Sequence, residues 1–266
     1  MPDVLLQVLW RRRLNLMWWS LGVLGVDVLL GVAYPTVRDN GELDKTFAGL
    51  PPGVQAALGL QAGLITSPAG YLNSQYFANI LPILLLVFGI SLAAWSIAGD
   101  EGGGTLELLL ANPISRLRLA LERSGALILE IAALTAVAGL GLVALAPSTG
   151  LSKGLTPDRI LEATVATGLL ALTFAALAFA VGAATGSRSG AMSTAAAFAV
   201  ALFMIEGLAE QVKVLRPIRE ASPWHWLLGS DPIRQGLLWQ SWVPPVALSV
   251  AAVLVGSLVF TRRNLR

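Results

Sequence analysis

The sequence contains no cysteine and one histidine in 266 residues. The first absence excludes a disulfide framework, a thiol nucleophile and any thiolate-bound zinc or iron–sulfur site; the second excludes a histidine-rich metal centre. Charge is also scarce. Only 13% of the residues are Asp, Glu, Lys or Arg, against roughly 25% in an ordinary soluble domain. With 55% hydrophobic residues and a mean hydropathy of +0.71, too little polar surface remains to cover a water-soluble fold, and the chain reads as a membrane protein. A net charge of +2 gives no reason to expect nucleic-acid binding. A nucleotide-binding Gly-x-x-x-x-Gly-Lys-Ser/Thr loop is missing as well: Gly150, Lys153 and Gly154 echo it only superficially, with no lysine after the second glycine.

Long apolar runs take the place of these features. A spanning helix needs about 20 predominantly apolar residues, and six charge-poor windows of that kind occur, at about 14–34, 76–99, 124–146, 159–185, 191–211 and 243–260. Their Leu, Ala, Val, Ile and Phe with scattered Gly suit helices that pack closely in lipid. The short alternating segments of a β-barrel are not seen. The expected fold is an all-α membrane protein with six transmembrane helices, and with no linker or repeat dividing it, residues 1–266 read as a single transmembrane domain.

Arg11, Arg12 and Arg13 precede the first window, and Arg262, Arg263 and Arg266 follow the last. The positive-inside rule therefore puts both termini in the cytoplasm, and the expected location is the plasma (inner) membrane. Six crossings leave ten of the 18 basic side chains in the inner segments. Lys213, Arg216, Arg219 and Arg234 fit less well, because all lie in one nominally outer loop. Pro217, Pro223 and Pro232 break that loop, and Trp224, Trp226, Trp239 and Trp242 suit a membrane interface, so residues 213–242 read as an outer hairpin whose arginines reach headgroups. Pro2–Trp10 sets Val4 with Val8 and Leu5 with Leu9 on adjacent helical rows, an interfacial helix entering the first span. The apolar run behind the three arginines is too long for a secretory signal and is read as an anchor. Residues 46–99 carry no charge, but Pro51-Pro52 and Ser67-Pro68 interrupt them, and Gly53–Ile65 reads as one or two short helices on the outer face.

The connection between the second and third windows carries the most information. Asp100 and Glu101 end the second apolar run, glycines 102–104 follow, and Thr105 stands where an N-cap belongs, with Glu107 facing the helix dipole. Leu106, Leu108, Leu109 and Leu110 make a short apolar helix stopped at Asn112-Pro113, and Ser115 caps a further helix bearing Arg116, Arg118 and Arg123. A leucine helix of this length is unstable alone in water, so it needs a surface to cover it.

These residues, Asp100-Glu101, Gly104-Thr105-Leu106-Glu107-Leu108-Leu109-Leu110 and Pro113-Ile114-Ser115-Arg116, resemble the loop between spans two and three of ABC-2-type ABC transporter permeases. Ser222-Pro223-Trp224-His225-Trp226 with Asp231-Pro232 resembles the Ser-Pro-aromatic element before that family's last span. The likeness covers nearly the whole chain; it departs where Asp100-Glu101 replaces a longer acidic run and Arg123 stands near a usual lysine. The resemblance implies a permease subunit, an exporter by its type, and a non-catalytic chain. It implies that Asp100, Glu101, Gly104, Thr105, Leu106, Glu107, Leu108, Leu109, Pro113, Ser115 and Arg116 couple it to a separate ATP-binding subunit. ATP and Mg would sit on that partner, no cofactor on this chain, and a second permease copy would complete the unit.

Isolated polar residues leave two readings open. Asp27, midway along the first span, is a transport-path candidate or an interhelical hydrogen-bond acceptor. Glu206 and Glu210 share a helical row in span five and read as partners of Lys213 or Arg216; Asp27 with Glu206 would also serve an alternative, a stand-alone carrier or channel. Glu130 reads as the partner of a basic side chain, and the lone His225 as an interfacial packing residue. Gly182 and Gly186, four apart, mark helix packing within the chain or a dimer face.

Overall fold

The computed structural model describes residues 3–40, 42, 46, 49–50, 54, 65–104, 114–209 and 211–263. No strand occurs among the described residues. Six helical stretches are long and apolar enough to span a membrane, at Val4–Arg38, Pro68–Ser96, Arg116–Thr149, Pro157–Thr185, Arg188–Leu208 and Trp239–Arg262. The helices are α1 (Asp3–Arg38), α2 (Pro68–Leu72), α3 (Leu81–Ser96), α4 (Ala98–Gly102), α5 (Arg116–Thr149), α6 (Pro157–Thr185), α7 (Arg188–Leu208), α8 (Arg216–Glu220), α9 (Pro223–Leu227), α10 (Pro232–Gln235) and α11 (Trp239–Arg262). A π-helical segment, Asn73–Ile80, joins α2 to α3, so these three form one span.

The spans run past the apolar windows because backbone hydrogen bonding continues where hydropathy stops. Ser115 accepts from the Arg118 N–H at 3.3 Å and opens α5 eight residues before the expected start. Ser67-Pro68, read from sequence as a break, is a helix start: Ser67 Oγ accepts from Gly70 N–H at 3.1 Å and Pro68 occupies the first turn. At the other end of this span Ile97, at φ −120°, separates α3 from α4.

The first helix is continuous for 36 residues, about 54 Å at 1.5 Å per residue, well beyond a hydrocarbon core of about 30 Å. From Asp3 onward the segment expected at Pro2–Trp10 is the first part of α1, with no break before the span. Val4 and Val8 are buried, and the first turn is capped from outside by Glu122, which accepts from Val4 N–H at 3.1 Å and Leu5 N–H at 3.2 Å.

Small residues set the direction of each span. A Cβ on Gly125 would stand 3.2 Å from Leu5, one on Gly141 2.6 Å from Leu24, and one on Gly31 3.0 Å from Thr149, so α1 and α5 run parallel in close contact. Gly139 against Leu161 and Gly168 against Thr135 make α6 antiparallel to α5, whereas Gly89 against Ala175 with Ala98 against Gly182, and Ser249 against Thr173 with Gly256 against Ala180, align α3 and α11 with α6. Spans one and three therefore run one way and spans two, four and six the other, and the start of α1 and the end of α11 lie at the same end of the bundle, α1 on Glu122 and α11 on Arg116 of the same helix.

At the centre stands α6, packed on α3, α5, α7 and α11, with 67% of its apolar window buried. The corresponding values for α1, α7 and α11 are 22%, 22% and 28%, which leaves Leu29, Val32, Phe198, Val200 and Val255 facing outward. Buried hydroxyls on the central helix serve its own ladder: Thr164, Thr167 and Thr173 donate to carbonyls four residues back at 2.7–2.9 Å. Ser249 of α11 also donates to Thr173 Oγ1 at 3.3 Å, a polar link between two spans.

Residues 213–235 form a chain of short helices laid over the ends of α6, α7 and α11, and residues 239–242, expected in the same hairpin, are the first turn of α11. Trp224 is buried, packs its ring on Phe203 at a 52° tilt with centroids 5.0 Å apart, and donates its indole N–H to Ala199 O at 3.1 Å. Two of its arginines have acidic partners: Arg219 pairs with Glu206 at 3.0 Å and Arg234, which stays exposed, with Asp231 at 3.7 Å. Most of Gly53–Ile65 lies outside the described residues.

Candidate functional site

The two flanks of the 105–113 connection are fixed by ionic contacts among three spans. Asp100 and Glu101 sit on α4, the single turn that follows α3. Asp100 pairs with Arg123 of α5, and Glu101 with Arg263 at the end of α11. All four side chains are 10–22% exposed, a setting where removing one member of a pair leaves a partly buried charge unmatched and costs more than at a fully solvated site. Gly186 makes room for the second pair: a Cβ there would lie 2.7 and 2.8 Å from the Glu101 carboxylate oxygens. Gly186 also sits at φ +70°, the left-handed cap that closes α6, its N–H on Gly182 O at 2.8 Å.

On the far flank Ser115 opens α5, and the Arg116 guanidinium donates to the Arg263 carbonyl at 2.6 Å. One turn on, Arg118 pairs with Glu122 at 2.7 Å, and Glu122 in turn holds the first turn of α1. Gly104 ends α4 at φ +69°, a conformation that favours glycine. Asp100, Glu101, Gly104, Ser115 and Arg116 are therefore brought to one end of the bundle, around the ends of α1, α5 and α11. Thr105, Leu106, Glu107, Leu108, Leu109 and Pro113 lie outside the described residues.

Sequence reasoning did not find Arg123, Glu122 and Arg263 as the partners in this frame. Their signal was available, since each is a charge at the edge of an apolar window, but its direction was not: Arg263 meets an acid 162 positions away.

The other two candidates lie apart and have local partners. Asp27 is wholly buried, and Tyr76 Oη of the π segment donates to its Oδ1 at 2.5 Å. Its Oδ2 has no hydrogen-bond partner among the described residues and faces Gly141, where a Cβ would stand 2.7 Å away. Neighbouring tyrosines bind the same helices, Tyr71 donating to Leu30 O at 3.0 Å and Tyr34 to Thr66 O at 3.1 Å. Asp27 thus makes an interhelical polar contact, from α1 to the π segment.

Glu206 lies near the opposite end of α7, where it accepts from Arg219 and meets His225 Nδ1 at 3.2 Å. The partners of Glu206 are thus Arg219 and His225 in place of Lys213 or Arg216, while Glu210 lies outside the described residues; His225 is a polar contact of the Glu206 carboxylate. Glu130 is buried with neither oxygen hydrogen-bonded among the described residues, although Arg12 is close enough to act on it electrostatically. A Cβ on Gly182 would meet Ala191 and Ala98 at 3.5 and 3.6 Å, so this glycine packs helices within the chain.

No group of three or more metal-binding side chains occurs among the described residues. No curated protein matches the sequence. The family model described as ABC-2 family transporter protein matches residues 15–220, from the first span through α8. That match, on a chain whose six apolar helices make it a multi-pass membrane protein, covers well over half its length, and the chain belongs to the ABC-2 family of transporter proteins as a membrane permease.

Proposed function

We propose that this permease is the membrane half of an ATP-driven exporter, with the leucine-rich 105–113 connection as the element that docks into a separate ATP-binding subunit. The family implies such a partner in general terms; the assignment of these residues to the contact is our reading. The ion-paired posts on either side of the connection support it most. Asp100–Arg123, Glu101–Arg263 and Arg116 on the Arg263 carbonyl join its ends to α5 and α11, so a push on the connection is delivered to two spans together.

In this scheme nucleotide binding closes a pair of ATP-binding subunits, Leu106–Leu110 follow, and the spans change the side to which a path opens. The free energy for the switch comes from the difference in partner affinity between the two states. ATP and Mg sit on the partner, this chain does no covalent chemistry, and a second permease copy completes the unit. Residues 1–266 act as one transmembrane domain: α11, beyond the region matched by the family, packs on α6. Basic side chains at the start of α1 and the end of α11 support a cytoplasmic side for that shared end, and a plasma membrane is the setting this reading assigns.

Leu109→Asp places a charge on the docking face and is expected to weaken capture of the co-expressed ATP-binding subunit at least tenfold, about 1.4 kcal/mol or more. Glu107→Ala is expected to reduce it less. Pull-down in mild detergent measures both, and a Leu109→Asp chain that retains its partner like the wild type would remove the coupling role from this connection.

A further inference from the structure

Beside the ionic frame, the groove between α1 and α3 opens into a cavity of about 720 Å³, within the range of small-molecule sites. Arg11 and Arg12 of α1, Arg123 of α5 and Arg188 of α7 line it, and Asp100, already paired with Arg123, is the one acid lining it among the described residues. Arg12 also feels Glu130 as well as Asp100. Arg188 rests on the face of Trp95, 4.2 Å from the ring centroid, which holds a guanidinium at the mouth of the cavity.

A second, smaller hollow of about 260 Å³ continues along the same helix. It shares Asn15 and Trp19 with the first and is otherwise lined by Trp18, Gly22, Val23 and Leu84. Its character is apolar, and nothing stands within 4 Å of a Cβ placed on Gly22. From Arg12 to Val23 is about 16 Å along a helix at 1.5 Å per residue, close to the thickness of half a hydrocarbon core of about 30 Å.

We infer that the α1–α3 seam binds an anionic phospholipid, with its phosphate among Arg11, Arg12 and Arg188 and an acyl chain along Trp19, Gly22 and Leu84. Planar guanidinium groups match phosphate oxygens in pairs, and surplus positive charge at the mouth selects anionic over zwitterionic headgroups. A free phosphate would use the basic cavity alone and leave the apolar hollow unfilled. The continuity of the two hollows favours the amphiphile. The site is a property of this chain and does not depend on the coupling to an ATP-binding subunit.

Native mass spectrometry of the delipidated full-length protein, titrated with phosphatidylglycerol, phosphatidylcholine or inorganic phosphate, tests the inference. One phosphatidylglycerol is expected to bind at least tenfold more tightly than phosphatidylcholine. Arg188→Gln, at an exposed position, should weaken it severalfold, and Arg12→Gln with Arg188→Gln tenfold or more, while Arg234→Gln in the loop before α11 changes nothing. Gly22→Leu, introduced into open space, should reduce phosphatidylglycerol binding without adding or removing charge. Equal affinity for the two lipids, or full binding by both the Arg188→Gln and Gly22→Leu chains, overturns the site. Inorganic phosphate competing as well as the lipid, with Gly22→Leu silent, replaces it with a soluble-phosphate site. None of these readouts involves the ATP-binding subunit, so a negative result here leaves the proposed coupling standing, and loss of coupling leaves this site standing.

Discussion

Asp27 illustrates why an acid inside a membrane span is ambiguous in sequence. Its depth was legible from its place in the first apolar window, but its partner was not, since Tyr76 lies 49 positions on and reaches it through the π segment. Removing one member of a buried pair costs more than removing both. Tyr76→Phe is therefore expected to lower the melting temperature in detergent, by an effect of about 1–3 kcal/mol, and Asp27→Leu added to it should recover most of the loss. A Tyr76→Phe chain that melts with the wild type would mean that the pair contributes nothing. Outside the spans, Asp231 offers a titration. Burial raises its carboxyl above the ordinary 3.8, against the opposing charge of Arg234. The folded chain then holds the proton longer than the unfolded one, so its contribution is greatest below 3.8 and declines as pH rises through the folded value. Relative to Asp231→Asn, which tolerates the same left-handed backbone at φ +51°, the wild type should lose thermal stability over that interval; a pH-independent difference would contradict this.

Among the elements, the six spans could be read from hydropathy because a bilayer imposes length and composition together, whatever the tertiary contacts. Their ends could not. Arg116–Arg123 is as helical as the apolar stretch after it, since the ladder opened by Ser115 continues through charged residues. Partners were misjudged for a related reason: Lys213 and Arg216 are nearest to Glu206 in sequence, yet turns beginning at Pro217 and Pro223 bring Arg219 and His225 to it instead. The frame around the 105–113 connection has its own test. Reversing one charge, in Glu101→Arg or Arg263→Glu, places like charges together in a partly buried site. Each is expected to increase hydrogen exchange at the end of α11 and to destabilise by about 3 kcal/mol or more. The double exchange should restore a good part of this, and a double variant no better than the singles would show that the pair does not hold α11.

For the whole molecule, the contrast between a buried α6 and thinly buried α1, α7 and α11 sets where movement is inexpensive. Amide exchange in detergent is expected to be slowest in α6 and fastest among the spans in α1, α7 and α11; uniform protection across the six would contradict a rigid centre. The position of that centre in the chain has a consequence for biogenesis. Spans enter the bilayer in the order of synthesis, and α6 is the fourth. When the first three are in place, α1 and α5 can already pair, but α3, with 61% of its span's apolar window destined for burial, has not yet met its main partner. Until translation passes Thr185 the nascent protein holds a half-built interface open to lipid, and in that interval a membrane protease or a chaperone would find the chain most easily.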